Sequence, residues 1–286
     1  MKVVFFGTPQ EVIPVLENLT KNFDVVAVVT TPDQKAGRKQ LLTPSPVKVF
    51  AKDHNIPVLQ PENNTSLKSL ILNLKSDLFI VAAYGKIIPQ DVLELPKHGA
   101  INIHPSLLPK YRGSTPIQSV LLNGDTKTGI TFMKMDEHMD HGPILHQIPF
   151  TLEPTDTFGW LMQSTFAQAG QILPHVIQEY LSGNLEPQPQ DDSKAIYTKI
   201  IAKEDGHIDL QNPPSSEQLD RMIRAYFPWP TVWTQTKIKN KEVRIKFLPK
   251  HQLQVEGKNP MNIKDFLNGY PEMKELITRI LGHIDK

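Results

Sequence analysis

Residues 100–113 read AINIHPSLLPKYRG, a run whose apolar start stops at a proline. Ala100–His104 predicts a short buried strand, because its isoleucines favour strands and Pro105 cannot continue a hydrogen-bonded ladder. Similar apolar runs occur at Val3–Phe6, Val25–Val29 and Leu78–Ala83, and helix-like segments separate them. Continuous apolar strands that alternate with helices are typical of a parallel sheet covered on both faces. We therefore expect an α/β fold with a mostly parallel sheet.

Two polar side chains interrupt this strand. Asn102 and His104 are two residues apart, so their side chains project to the same face, and Pro105 places His104 at the carboxyl edge of the sheet. Ligands bind at that edge in open α/β folds, and buried polar groups cost stability unless they are paired. Spacing alone leaves two interpretations open: a functional pair, or a satisfied core histidine beside a turn-capping asparagine.

A second polar cluster, MDEHMDHGP at residues 135–143, lies between two predicted antiparallel strands, Thr128–Met135 and Ile144–Leu152. The spacing of His138, His141 and His146 matches no familiar ligand template, so we expect no metal. We expect instead that a single carboxylate of this loop reaches the active edge of the sheet.

Composition excludes several classes of protein. The chain has 286 residues, no cysteine and a formal net charge of +1. It therefore has no thiolate zinc site, no iron–sulfur cluster and no cysteine nucleophile. Gly7 stands alone after the first strand, without the glycine patterns of dinucleotide or ATP loops. No apolar run approaches the ~20 residues that span a bilayer, so we expect a cytoplasmic protein without a membrane segment.

The carboxy-terminal part differs in pattern. Ser216–Tyr226 predicts a helix, Val232–Leu248 alternates like a small β module, and a terminal helix is expected at about Ile263–Ile280. We predict domains at residues 1–186 and 207–286, joined by a proline-containing linker at 187–206. The spacing of Lys237, Lys239 and Lys241 predicts one face of a strand, which is either a phosphate-facing stripe or a solvated edge.

Several ordered motifs resemble the folate-dependent formyltransferase family. They are Asn102-Ile103-His104, Ser106-Leu107-Leu108-Pro109, Arg112-Gly113 and Met135…Asp140-x-Gly142. Phe6-Gly7-Thr8-Pro9, the loop Thr31–Lys48, Ala83-Tyr84-Gly85 and Arg224-Ala225…Pro228-Trp229-Pro230 resemble the branch of that family that formylates methionyl-tRNA. The resemblance covers about residues 1–250.

The resemblance implies a Rossmann-like catalytic domain followed by an OB-like domain. From Thr231 to Asn262 there are only 32 residues, whereas five strands with loops need roughly 40–50. We therefore expect a reduced, partly open module of about three strands, braced by the terminal helix.

The implied reaction moves the formyl group of 10-formyltetrahydrofolate to the free amino group of initiator methionyl-tRNA, for translation initiation. An attacking amine creates an oxyanion, to which Asn102 and His104 could donate hydrogen bonds. Asp140 would orient His104 and accept a proton through a water. This route needs neither a metal nor a covalent enzyme intermediate.

The resemblance also implies binding residues. For the folate co-substrate they are Ser106, Leu107, Leu108 and Pro109, where prolines would free backbone groups and leucines would form an apolar wall. Tyr84 and Gly85 are expected to line the same pocket. For the tRNA the candidates are Lys35, Arg38, Lys39, Lys237, Lys239, Lys241 and Arg244.

Two other functions remain open at this stage. An amino-sugar nucleotide N-formyltransferase would share Asn102, His104 and Asp140, and only the loop around Arg38 favours tRNA. A non-catalytic RNA- or folate-binding protein on the same scaffold is the alternative from another class. We expect a monomer in each case.

Overall fold

The computed structural model describes residues 1–37, 40–239 and 241–281, and these form two compact units. The first unit comprises Met1–Pro116, Lys127–Thr151 and Met162–Thr198. The second comprises Ile117–Thr126, Leu152–Leu161 and the part from Lys199 onward. The change from one unit to the other at residues 198–199 lies inside the predicted linker. The second unit also takes two segments from the predicted catalytic domain, so the predicted domain limits stay a prediction.

The strands before residue 152 build the first unit. They are β1 (Lys2–Gly7), β2 (Asp24–Val29), β3 (Gln34–Ala36), β4 (Leu41–Thr43), β5 (Val58–Leu59), β6 (Leu78–Ala82), β7 (Ala100–His104), β8 (Lys127–Lys134) and β9 (Ile144–Thr151). Among the described residues, seven of them form one sheet in the order β5-β2-β1-β6-β7-β8-β9. The first five in that order run parallel, whereas β8 and β9 are antiparallel. The expected mostly parallel sheet is confirmed.

Helices cover both faces of this sheet. They are α1 (Ile13–Asn22), α2 (Pro46–Asp53), α3 (Asn64–Ile71), α4 (Gln90–Leu93) and α6 (Phe158–Leu181), while a further helix, α5 (Pro116–Asn123), belongs almost entirely to the second unit. One apolar cluster joins Phe5 and Ile101 to side chains of α1, α2 and α6, and another joins Phe6 and Phe79 to α3 and α4. Pro174 lies inside α6, which continues through it. Because both faces are apolar, Asn102 and His104 are exceptions in the middle of the sheet.

The second unit has its own sheet. After α7 (Ser216–Tyr226) come β10 (Val232–Ile238), β11 (Lys241–Leu248), β12 (Gln252–Val255) and β13 (Met261–Asn262), paired antiparallel in chain order within the described residues. Two helices follow, α8 (Ile263–Gly269) and α9 (Lys274–Leu281). The α/β class with a small β module is confirmed. The module has a fourth, two-residue strand. The expected single terminal helix is divided at Tyr270, whose φ of −137° and ψ of 63° lie outside the helical region, as a following proline favours.

The expectation of three lysines on one strand face is wrong. Lys237 lies on β10 and Lys241 on β11, while Lys239 lies in the turn with a φ of +49°. Lys237 faces Glu242 across the pair and Ile238 faces Lys241, so Lys237 and Lys241 project from opposite faces of the sheet. A spacing of two shares a face only while the chain stays in one strand, and here it reverses.

The amino-terminal part of the predicted linker is an ordered part of the first unit. Gln188 pairs with Ile144 at the start of β9, with both backbone N–H···O distances at 2.8 Å. Arg112 and Tyr197 form a parallel bridge. This segment therefore runs beside the residues that follow β7 and precede β9.

Across the described part of the chain, no helix combines the length and the apolar character that crossing a bilayer requires.

Candidate active site

Strand β7 carries Asn102 and His104 to the carboxyl edge of the parallel sheet. The strand lies between β6 and β8, with Asn102 opposite Val81 on one side and Met133 on the other. His104 is buried, and its Nε2 lies 2.9 Å from the carbonyl oxygen of Tyr111. A carbonyl only accepts hydrogen bonds, so Nε2 carries a hydrogen and Nδ1 faces the opposite way.

Asp140 reaches these two side chains from the loop between β8 and β9. Its Oδ1 accepts a hydrogen bond from the Asn102 amide at 3.2 Å, and its Oδ2 accepts one from the backbone N–H of Gly113 at 2.8 Å. The same Oδ2 lies 3.7 Å from Nδ1 of His104. The structure thus brings together the three predicted catalytic side chains, which are 38 residues apart at the extremes of Asn102 and Asp140.

The loop that presents Asp140 has an unusual backbone. Asp140 has a φ of +48°, in the left-handed region that few non-glycine residues adopt. Two residues later, a Cβ on Gly142 would lie 1.9 Å from the carbonyl oxygen of Lys134, so only glycine fits there. A short loop that must turn this tightly aims the Asp140 carboxylate at the edge of the sheet.

The chemistry available in this cluster follows from its hydrogen bonds. One hydrogen of the Asn102 amide is engaged by Asp140, and the second can serve a substrate oxygen. Asp140 is a carboxylate with a fixed orientation, since separate donors hold its two oxygens. A fixed donor beside a fixed acceptor, at a partly accessible edge, suits a reaction that develops negative charge on oxygen and releases a proton.

The turn at residues 106–109 uses its polar groups internally. Ser106 and Leu108 are buried. The Ser106 hydroxyl donates to the Lys110 carbonyl, while the Leu108 N–H donates to the Thr131 hydroxyl and the Leu108 carbonyl accepts from Gln147. The Thr131 hydroxyl also donates to the Ser106 carbonyl at 2.6 Å, so the expectation of freed backbone groups is wrong for these two residues, because β8 and β9 satisfy them.

The half-buried side chains of this turn are Leu107 and Pro109. Of the four predicted folate residues in this turn, these two are the ones that the structure leaves accessible.

Tyr84 and Gly85 follow β6 at the same edge of the sheet. The Tyr84 ring is buried and packs edge-on against Phe6, with ring centroids 5.4 Å apart, and burial raises the pKa of the phenol to about 12. The side chain of Tyr84 thus belongs to the core. Gly85 is exposed with a φ of +82°, and a Cβ there would meet nothing within 4 Å. Thr8, after β1, donates to the Tyr84 carbonyl at 3.0 Å and ties these loops together.

Asp136, His138 and His141 offer ligand-type atoms that lie within 4.8 Å of one another. Nδ1 of His141 is 2.7 Å from Asp136, and its Nε2 is 3.4 Å from Asp192. The hydrogen bond with Asp136 raises the pKa of His141. Asp136 and His141 thus already pair with protein groups, and the expected absence of a metal stays a prediction.

The candidate tRNA residues fall into two groups. In the first, Lys35 is exposed on β3, whereas Arg38 and Lys39 lie outside the described residues.

In the second group, Lys237 and Arg244 lie on the sheet face that carries Trp233, with the Arg244 guanidinium 4.7 Å from the ring centroid. Lys203 approaches the same ring at 5.7 Å. We call this face, with Trp233, Lys237, Arg244 and Lys246, the basic face. Lys241 lies on the opposite side of the sheet.

The sequence did not predict that Arg112 and Gln190 support the site through hydrogen bonds. Arg112 entered only through a motif, yet it is 1% exposed and its guanidinium reaches Gln190, Asp192 and Tyr197. Gln190 carried no signal in the sequence, because polar residues are ordinary in a proline-containing linker. A buried arginine is recognisable only when its partners are known.

An open sheet with a polar cluster at its carboxyl edge is typical of an α/β enzyme that binds its substrates at that edge. Residues 1–177 match the family described as Formyl transferase, and residues 200–250 match the Formyl transferase C-terminal domain. This chain belongs to the formyl transferase family.

Similar proteins extend over most of the chain. A methionyl-tRNA formyltransferase of Chloroflexus aurantiacus is 44% identical over 237 residues, which cover 82% of this chain and 76% of that protein. One of Bacillus velezensis is 40% identical over 245 residues, which cover 85% and 77%. A sugar N-formyltransferase from Shewanella has a similar structure, with a TM-score of 0.65, 17% identity and coverage of 86% and 96%. At that identity the likeness shows the fold alone.

Proposed function

We propose that this chain transfers the formyl group of 10-formyltetrahydrofolate to the amino group of initiator methionyl-tRNA. The observation that carries the choice of acceptor is the 40–44% identity to relatives named for that reaction. The cluster of Asn102, His104 and Asp140 supports the reaction type. The product would be N-formylmethionyl-tRNA for translation initiation, made by a cytoplasmic monomer.

Each side chain of the cluster has a separate role in the transfer. Asn102 donates its second amide hydrogen to the oxygen that gains negative charge when an amine adds to a formyl carbon. His104 gives its Nε2 hydrogen to the Tyr111 carbonyl, so a hydrogen bond from this ring to the same oxygen comes from Nδ1 and requires the doubly protonated, cationic ring. Asp140, held by Asn102 and Gly113, accepts the amine proton through a water while it stays in contact with His104. The bond between the formyl carbon and N10 of the folate then breaks, and a proton passes to N10 of the departing tetrahydrofolate.

The edge of the sheet fits a flat folate ring. 10-Formyltetrahydrofolate supplies the formyl carbon when it is bound. Leu107 and Pro109 offer accessible apolar surface, and the open space at Gly85 lets a ring approach the backbone. Ser106, Leu108 and Tyr84 support these residues from the buried side. In this proposal, accessible residues contact the folate and buried residues hold them in place.

The basic face supports a role in binding tRNA. The Arg244 guanidinium and the Lys203 ammonium lie over the ring of Trp233, and Lys237 and Lys246 add positive charge to the same face. The β3–β4 hairpin is a second candidate surface, since it carries Lys35 and exposes Leu41 and Leu42 at 63% and 67%. Lys239, in the turn at the tip of the β10–β11 hairpin, belongs with the basic face, while Lys241 is its poorest candidate.

The test is a side-by-side assay of formyl transfer with one donor and several acceptors. The purified chain receives 10-formyltetrahydrofolate and methionyl initiator tRNA, methionyl elongator tRNA, or a UDP-amino sugar. We expect rapid formylation of the initiator tRNA alone. Formylation of the sugar without the tRNA would establish the alternative enzyme. Binding of folate or tRNA without turnover of either acceptor would establish a non-catalytic protein.

A further inference from the structure

The segment that follows the catalytic residues in sequence contacts the backbone that presents Asp140. The amide nitrogen of Gln190 donates to the carbonyl oxygens of Asp140 and Gly142, at 2.9 and 2.7 Å. Its amide oxygen accepts from Nε of Arg112 at 3.0 Å. Gln190 thus connects the chain after β7 with the tight turn before β9.

The orientation of this amide follows from its partners. Nε of Arg112 can only donate, and the two carbonyl oxygens can only accept, so one of the two amide orientations satisfies all three contacts. Arg112 is itself fully constrained, because its other nitrogens donate to Tyr197 at 3.1 Å and to Asp192 at 2.7 Å. The glutamine is therefore anchored on one side and holds the turn on the other.

The backbone conformation of Asp140 requires stabilisation by its neighbours. Asp140 adopts a φ of +48°, a conformation that is unfavourable for a residue with a side chain. Gln190 bonds the Asp140 carbonyl itself, next to that strained torsion angle, while Gly113 and Asn102 hold only the carboxylate. Gln190 bears on the backbone that sets the direction of the carboxylate.

We propose that Gln190 is a positioning residue, which holds the Asp140 backbone in its left-handed conformation and thereby keeps the carboxylate aligned with Asn102 and His104. Arg112 serves as the anchor of this clamp. The proposal rests on the proposed function for its kinetic consequence, but its structural consequence stands apart from any activity.

Two substitutions at Gln190 distinguish its hydrogen bonds to the Asp140 and Gly142 carbonyls from its hydrogen bond to Arg112. Gln190→Ala removes all three contacts. Gln190→Glu keeps the shape and an oxygen for Arg112, but as a carboxylate it has no hydrogen to donate to the two carbonyls. Gln188→Ala is the matched control, because Gln188 is in the same segment and its exposed side chain donates only to the Glu186 carbonyl.

Kinetics give the first readout. We expect both Gln190 variants to lose about 10- to 100-fold in kcat, the range for a misplaced catalytic group, with KM for both substrates within about two-fold of the parent. Gln188→Ala should match the parent. If Gln190→Glu is as active as the parent, the residue only anchors Arg112, and the proposal is overturned. Gln190→Glu also keeps the test possible if Gln190→Ala fails to fold.

Nuclear magnetic resonance gives the second readout without turnover. The backbone amide proton of Gly113 donates to Asp140, so its chemical shift reports the position of the carboxylate. We expect this resonance to move in both Gln190 variants and to stay in place in Gln188→Ala. An unmoved Gly113 resonance in folded Gln190→Glu would overturn the proposal. If the parent chain formylates no acceptor, the proposed function fails, while this shift still decides the role of Gln190.

Discussion

Polar side chains are held by hydrogen bonds in the cluster at the end of β7, whereas those on the basic face of the second unit are more exposed. Both oxygens of Asp140 receive hydrogen bonds, and His104 is buried against a backbone carbonyl. On the basic face, Lys237 is exposed and Arg244 contacts Trp233 through its charge. A reaction needs atoms held within a fraction of an ångström, whereas attraction to a polyanion tolerates mobile charges.

The largest effect is expected when the amide donor of the cluster, Asn102, is removed. Asn102→Ala should lower kcat by about 10²–10³-fold, or ~3–4 kcal/mol, the usual loss for one oxyanion donor. Steady-state formylation of methionyl-tRNA measures the effect. Asn22→Ala is a matched control, because that exposed asparagine bonds only its own helix. A loss that appears in KM instead of kcat would contradict the assigned role.

The next test concerns the anchor beneath the cluster. Arg112→Met should lower the free energy of unfolding by about 1–3 kcal/mol, because the half-buried amide oxygen of Gln190 loses its donor. Urea denaturation followed by tryptophan fluorescence measures it.

Arg112→Lys is the informative comparison for that experiment. Lysine keeps the charge but not the planar fork of donors, so most of the loss should remain. Full stability of Arg112→Lys would show that charge alone matters at this buried position.

A smaller effect is expected on the basic face. Lys237→Gln together with Arg244→Gln should weaken tRNA binding several-fold and reduce the salt dependence of the affinity by about 0.7–0.9 per lost phosphate contact. Fluorescence anisotropy with labelled tRNA at several salt concentrations measures both quantities.

The chain offers a control for that charge change. Lys241→Gln removes one positive charge from the same hairpin but from the opposite sheet face. Its binding should stay close to that of the parent. Equal weakening per charge removed by Lys241→Gln would mean that net charge, and not the basic face, determines affinity.

The smallest expected effect is on the pH dependence of stability. The hydrogen bond with Asp136 raises the pKa of His141 above its ordinary value of 6.5. The stabilisation is then fully present below pH 6.5 and is lost as pH rises through the raised pKa. His141 is 39% exposed, so solvent screens the pair and the change in Tm is small.

Thermal denaturation between pH 5.5 and 8.5 checks this prediction. The Tm of the parent should fall toward the alkaline end relative to that of His141→Gln. Parallel Tm curves for the two proteins would show that the pair contributes nothing to stability.

The sequence was sufficient for features that depend on short-range patterns. Four of the five parallel strands and the helix Ser216–Tyr226 follow from apolar patterns, whereas the two-residue strand β5 was not predicted. The position of Asn102 and His104 at the sheet edge followed from strand alternation and Pro105. These inferences worked because the physical cause lies within a few residues of its effect.

Other features depended on where the chain turns and what it meets. A turn at Lys239 separated lysines that spacing had placed together, and β8 satisfied backbone groups that prolines seemed to free in the 106–109 turn. The division of the terminal helix before Pro271 combines both kinds of cause. The proline is a local signal, but proline also occurs inside α6, so its presence alone does not predict a break.

The amino-acid sequence by itself determined the α/β class, the polar pair on β7 and the family to which the chain belongs, because strand periodicity and ordered motifs are local properties. Only the tertiary structure decided that Asp140 meets Asn102 and that Gln190 clamps the Asp140 backbone onto buried Arg112. Such contacts join residues tens of positions apart. They exist because the sheet and its loops bring those residues to one edge, which no local pattern records.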